Sequence, residues 1–333
     1  MSALKTMSAL TMDKRNIRAF LILGIYFALL AVLAGWIFSS RAAKADRIDQ
    51  LVDDKACPGC ELDGINLRAA DLRDADLEDV TLRGANLAEA NLREAILTRA
   101  ILSEADFHKA NLSGANLGEA ILNGVTLSEA NLSGANLGSV YLGDSNLQKA
   151  NLVDADLSGA DLIRANFSGA TLRDANFSNA DLTRADLRTT DLRRAYLGDA
   201  DLRNARLDEA NLSRATLPRA DLTRAKLLRA NLREANFSRA ILNHARLSGA
   251  DLAEAFLAEA ELVDANFSGA NLEGANLARA DLTGANLEGA NLTNVNLRRA
   301  DLTNANLTGV DLSTVKLCKT TMSDQTIENR DCN

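Results

Sequence analysis

Every fifth residue from Leu62 to Leu317 is leucine or phenylalanine, with no insertion across the whole span. The phenylalanines are Phe107, Phe167, Phe177, Phe237 and Phe267. Two residues before each stands alanine, except at Cys60, Ile65, Val80, Val125, Val140, Ser145, Thr190, Val295, Val310 and Val315. Directly before it stands, most often, aspartate or asparagine. A helix repeats every ~3.6 residues and a strand every ~2, so a period of five fits neither. It fits a chain that turns a corner every five residues, with four corners closing a square coil of about 20 residues. The large apolar residue and the small one point inward, and the other three face water. Outward corners suit glycine, as at Gly84, Gly114, Gly124, Gly134, Gly169 and Gly269. Stacked coils then hydrogen-bond at strand spacing, about 4.8 Å.

Composition agrees with this core. Aromatic residues make up only 4 % of the chain, too few for an ordinary core of this length, yet apolar residues reach 47 %. Leucine and alanine make up the difference. Segments such as ANLSGANLGEA and ANLEGANLARADLTGANLEGANL resemble the pentapeptide-repeat family, whose pattern is A-(D/N)-L-x-x, and the resemblance covers residues 60–319. It implies an all-β fold, a right-handed quadrilateral β-helix (solenoid). About 52 pentapeptides would make about 13 coils and a rod roughly 60 Å long. Two local features follow from the period. Phe167 and Phe177 fall on opposite walls of one coil, which predicts a bulge there. Pro218 falls on an outward position, where a missing N–H is tolerable.

Ahead of the repeat lies a different kind of sequence. Residues 1–18 are a basic, cytoplasmic-type segment in which MSAL recurs, so translation could start at Met1, Met7 or Met12. Residues 19–38, Ala19 to Phe38, are uncharged and mostly apolar, long enough for a helix to cross about 30 Å of hydrocarbon. Their length favours a retained transmembrane anchor. Ala43-Lys44-Ala45 before Asp46 fits cleavage of a signal peptide, although cleavable apolar cores usually run about 7–15 residues. Residues 39–59 are a linker and N-terminal cap, where Ile48, Leu51 and Val52 suit one amphipathic turn. Residues 320–333 are a C-terminal cap or tail.

Residues 20 apart lie on top of one another, so surface columns are readable. Ile101, Ile121 and Tyr141 replace Asp or Asn in three successive coils, with Ile96 on the adjacent wall. They form an exposed ridge, either a partner contact or a β-branched and aromatic ladder with no further role. Charge is segmented too. Residues 60–182 carry 9 Lys and Arg against 19 Asp and Glu, a net −10. Residues 183–246 carry 14 against 8, a net +6, and residues 247–333 carry 6 against 13, a net −7. Within the basic belt Arg206, Lys226 and Arg246 form one column. Asp208, Glu209 and Glu234 are its local partner candidates; a bound anion, a lipid headgroup or an acidic protein are the alternatives.

No catalytic constellation is present in the sequence. His108 and His244 are isolated and outward-facing, which argues against a metal site or a general base. Nucleotide-binding glycine loops are missing. No cofactor, metal or small-molecule substrate is expected. Cys57 and Cys60 form a C-x-x-C outside any βαβ setting; Cys318 and Cys332 enclose the tail. The CPGC lead-in and the LCKTTM ending resemble caps of the family, either as two local disulfides or as plain thiols. Oxidised, they would place the rod in an oxidising compartment, periplasm or thylakoid lumen. The expectation is therefore a non-enzymatic rod, tethered to a membrane by its N-terminal helix and binding an unidentified protein. If the N-terminal segment is cleaved, the rod is secreted into the same compartment. The alternative that the resemblance permits is a DNA-mimic inhibitor of gyrase, a type II topoisomerase, although no nucleic acid is expected as a ligand.

Overall fold

The computed structural model describes residues 51 and 53–332. The apolar stretch 19–38 and the linker positions Ile48 and Val52 lie outside the described residues; Leu51 is buried. Among the described residues no helix is long and apolar enough to cross a membrane.

From Ala56 to Asn286, every fifth residue forms a parallel bridge with the residue twenty further on. Twenty residues divided into five-residue sides is a four-walled coil, and the coils stack in register. The leucine or phenylalanine position and the alanine position point to the axis. Nearly all are fully buried, including the five phenylalanines.

The five-residue alphabet follows from where the backbone N–H groups go. The leucine N–H donates to a carbonyl of the next coil, as Leu62 does to Thr81 at 2.7 Å, and so does the second turn residue, as Gly64 does to Arg83 at 2.8 Å. The ladder residue donates to the previous coil, as Thr81 does to Cys60 at 2.9 Å. The residue at the alanine position closes the turn onto the leucine three before it, as Ala75 does onto Leu72 at 3.2 Å. That satisfies four N–H groups of five. The fifth, on the first turn residue, is met by the Asp or Asn side chain two residues earlier. Ser133 donates to Asn131 Oδ1 at 3.2 Å, Gly138 to Asn136 at 3.0 Å and Thr183 to Asp181 at 2.9 Å. Aspartate and asparagine are thus the short acceptors that complete the backbone accounting. Both prolines, Pro58 and Pro218, occupy this one position whose N–H the ladder never uses, and the Pro218 carbonyl still accepts from Asp199 at 3.0 Å.

Asparagines in a column also bond to one another. Asn111 donates to Asn91 and Asn131 to Asn111, both at 3.2 Å, and Asn151 to Asn131 at 3.0 Å. Asn131→Ala should strand the Ser133 N–H and break two rungs, costing about 1–2 kcal/mol. Hydrogen exchange should show faster exchange at Ser133 and not at the buried leucine amides beside it.

Every fifth residue from Gly59 to Gly309 has φ between +53° and +75°. This is the second turn residue, and positive φ there alone is the type II pattern. The six corner glycines expected from the sequence all occupy it. Two interior hydroxyls replace alanine and are satisfied locally. Ser145 Oγ donates to the Leu122 carbonyl at 2.8 Å and Thr190 Oγ1 to the Leu187 carbonyl at 2.6 Å.

The two phenylalanines predicted to bulge one coil, Phe167 and Phe177, do not interrupt the ladder. Their ladder bonds to Asp186 and Tyr196 are 2.8 and 2.7 Å, ordinary for the rod. The rings meet edge to face, centroids 6.2 Å apart and planes at 85°.

At the C-terminal end the chain leaves the period. A hairpin of β1 (Thr320–Thr321) and β2 (Ile327–Glu328) folds back antiparallel. The Asp331 N–H donates to the Leu317 carbonyl at 2.7 Å, and the Leu317 N–H to Asp331 Oδ2 at 3.0 Å. Arg330 donates to the carbonyls of Leu312 and Val315 at 2.9 and 2.5 Å.

Candidate functional site

The ladder sets Ile101, Ile121 and Tyr141 directly on one another as bridged neighbours. Ile101 and Ile121 are half-buried, Tyr141 is 50 % exposed and Ile96, on the next wall, is 42 % exposed. Replacing the Asp or Asn here has a second effect. The N–H groups of Ser103 and Asn123, two residues past the isoleucines, lose their side-chain acceptor and have no protein partner among the described residues. The ridge therefore pairs apolar side chains with open backbone donors. Two further exposed aromatics, Tyr196 at 42 % and Phe256 at 50 %, replace Asn or Asp in the column of Ile96. They carry the same signal as Tyr141, an aromatic at the ladder position, and sequence reasoning missed them.

Arg206, Lys226 and Arg246 are likewise bridged one above another, and all three are exposed. The expected local partners do not serve them. Glu209 binds Arg229, and Glu234 binds Arg214 at 2.9 Å. Asp208 Oδ1 accepts the Leu228 N–H at 3.3 Å, because Lys226 cannot supply that acceptor as Asn would. The same substitution recurs where Asp63 serves Arg83 at 2.8 Å and Asn243 serves Val263 at 2.9 Å. Arg206 instead reaches down to Asp186 at 3.6 Å. Burial pushes the Asp186 carboxyl up, but hydrogen bonds from Arg188, with the charges of Arg188 and Arg206, outweigh it and hold it below the usual carboxylate range. Lys226 and Arg246 have no acidic partner within 4.0 Å among the described residues.

The cysteines close two local bridges. Cys57 and Cys60 lie with Cα atoms 5.5 Å apart, and Cys318 and Cys332 at 4.7 Å. The first spans a single turn at the start of the repeat; the second ties the tail to the last coil. The histidines stand far apart in sequence and in different columns. His108 Nδ1 is 2.9 Å from Ser128 Oγ, and His244 Nδ1 is 3.6 Å from Asp264 Oδ2.

Comparison with known proteins gives one family. The family profile described as pentapeptide repeats matches overlapping stretches between residues 60 and 324, well over half the chain. No curated protein sequence matches. Among solved structures the chain is similar to HetL, a pentapeptide repeat protein involved in heterocyst differentiation regulation in the cyanobacterium Nostoc sp. strain PCC 7120. Identity is 32 % over 80 % of this chain and 92 % of that one, with a TM-score of 0.24. It is similar to the pentapeptide repeat protein Rfr23 of the cyanobacterium Cyanothece 51142, at 26 % identity over 41 % of this chain and 92 % of that one, with a TM-score of 0.32. A third likeness, at 19 % identity over 73 % of this chain and 91 % of the other with a TM-score of 0.25, is to QnrB1, a plasmid-mediated fluoroquinolone resistance protein.

Proposed function

The chain belongs to the pentapeptide-repeat family, and from that premise we propose that it is a non-enzymatic, protein-binding rod held at a membrane. The observation that carries the binding role is the ridge of Ile101, Ile121 and Tyr141, where three coils in a row give up the Asp or Asn that completes the backbone accounting. Losing that acceptor leaves the Ser103 and Asn123 N–H groups open beside apolar side chains, a surface that a partner strand or loop would complete.

The rest of the proposal concerns placement. The right-handed quadrilateral β-helix would have about 13 coils over residues 60–319, roughly 60 Å in length. Residues 1–18 would stay in the cytoplasm and residues 19–38 would anchor the chain. Residues 39–59 and 320–333 would cap the rod in the periplasm or thylakoid lumen. The two disulfide pairings support an oxidising compartment. A duplex-DNA mimic acting on gyrase would want unbroken negative charge; the net +6 of residues 183–246 stands against it.

The test is capture from detergent-solubilised membranes with the tagged full-length chain. Wild type should retain a specific protein that the double variant Ile121→Lys, Tyr141→Lys loses, with unchanged far-ultraviolet circular dichroism. Equal capture by both proteins would remove the ridge from the proposal. Capture of nothing by wild type would remove the binding role.

A further inference from the structure

We propose that one wall of the basic belt, carrying Arg206, Lys226 and Arg246, together with its leading corner, carrying Arg184 and Arg224, binds a short acidic segment of a partner protein. The inference rests on the reading of the chain as a binding rod but uses a different wall and different coils from the apolar ridge.

The argument starts from which cations of the belt are already neutralised. Arg188, Arg193, Arg194, Arg203, Arg214, Arg219, Arg229, Arg233 and Arg239 each have a carboxylate partner. Among the described residues Arg184, Arg224, Lys226 and Arg246 have none within 4.0 Å. Lys226 and Arg246 stand on one wall, and Arg184 and Arg224 at the corner that leads into it. Arg184 and Arg224 stand in one column two coils apart, and Lys226 and Arg246 stand in the next outward column, two residues along. Arg206 belongs to that second column and is held only loosely, 3.6 Å from Asp186, which Arg188 already binds at 2.6 Å. Asp208, two residues from Arg206, turns Oδ1 to the Leu228 N–H at 3.3 Å and has no cation within 4.0 Å among the described residues. Positive charge is balanced on the other walls and unbalanced on this one.

Like charges stacked at strand spacing repel, so this column is unfavourable until an anion sits on it. Its length selects the anion. From the coil of Arg184 to that of Arg246 is three coil steps, about 14 Å, and an extended peptide covers that in about five residues. Either side of the belt the rod is acidic, net −10 before it and net −7 after it. A duplex or a membrane surface lying along the rod would meet those flanks and be repelled; a run of about five acidic residues would not.

The probe is a fluorescent hexaglutamate peptide titrated into the full-length chain in neutral detergent. Binding should saturate at low salt and fade by about 0.5 M salt, where screening is short-ranged. Lys226→Glu with Arg246→Glu should weaken it about tenfold or more, while Arg219→Gln, a paired cation on another wall, should leave it unchanged. Circular dichroism of each variant reports folding. The proposal is overturned if the peptide does not bind or if the double variant binds it as well as wild type. It is equally overturned if duplex DNA, phosphatidylserine vesicles or a second copy of the chain is bound in preference to the peptide. Because the ridge capture experiment uses intact belt residues, failure here leaves that result standing, and the two failures are distinguishable.

Discussion

Phe177→Ala should lower the stability of the rod by about 3–5 kcal/mol, the usual cost of emptying a buried aromatic site. Phe177 is fully buried and meets Phe167 edge to face at 6.2 Å. The coil cannot collapse to refill the space, because its walls are held by ladder bonds on both sides, such as Phe177 to Tyr196 of the next coil at 2.7 Å and Asn176 to Ala155 of the previous one at 2.9 Å. The edge-to-face contact adds a coupling of about 0.5–1.5 kcal/mol, so Phe167→Ala and Phe177→Ala together should cost measurably less than the sum of the two. Each coil touches only its neighbours, so the damage should be local. Hydrogen exchange followed by mass spectrometry should show lost protection in residues 157–197, and near-normal protection around the lone Phe107 and Phe267. A loss below about 1 kcal/mol would mean that the walls do relax and that the rod is softer than its ladder implies.

How the ladder holds its walls was readable from the sequence; how two rings share one coil was not. A period of five names the inward positions, the corners and the stacking register, because backbone geometry repeats with the side chains. It does not give ring orientation, so the edge-to-face contact of Phe167 with Phe177 is visible only in the structure. The surface divides in the same way. The columns Ile101, Ile121, Tyr141 and Arg206, Lys226, Arg246 follow from the period alone. Which acid serves which cation does not, because it depends on backbone N–H groups that no sequence pattern displays. Asp208 illustrates this: proximity made it a partner candidate for the basic column, whereas the Leu228 N–H takes its carboxylate because Lys226 occupies the place of an Asn. Arg184 and Arg224 were overlooked for a related reason. Arginine is common at the second turn residue, and only the pairing of its neighbours shows these two to be left over.

The same distinction between periodic and aperiodic chain sets the second large effect, at the C-terminal end. Inside the rod every coil is covered by the next, but the last one must be covered by something that does not repeat. Here the tail does it in part. The β1–β2 hairpin, the paired bonds of Asp331 with Leu317 and the Arg330 bonds to Leu312 and Val315 close two walls. The inward residues Leu307, Val310 and Leu312 remain only half-buried. Few apolar contacts hold the tail, and Ile327 is 66 % exposed, so its attachment depends on these polar bonds and on the Cys318–Cys332 bridge. That bridge spans a sequence separation of 14, a loop whose closure is worth about 3 kcal/mol in the chain-entropy account. Cys318→Ser with Cys332→Ser should therefore free the tail and uncover Leu317 and the open ladder edge. Amides of residues 297–321 should exchange faster while those of residues 100–280 stay protected. The exposed edge should also raise soluble association, since unpaired strand edges are templates for pairing. Reduction of the wild-type chain should reproduce the effect. Cys57→Ser with Cys60→Ser should do less, because that bridge joins the ends of a turn that the Cys60 N–H already closes onto the Cys57 carbonyl at 3.2 Å. If the terminal coil keeps its protection without the C-terminal bridge, the hydrogen bonds of Arg330 and Asp331 hold the cap by themselves, and the disulfide adds nothing to the folded end.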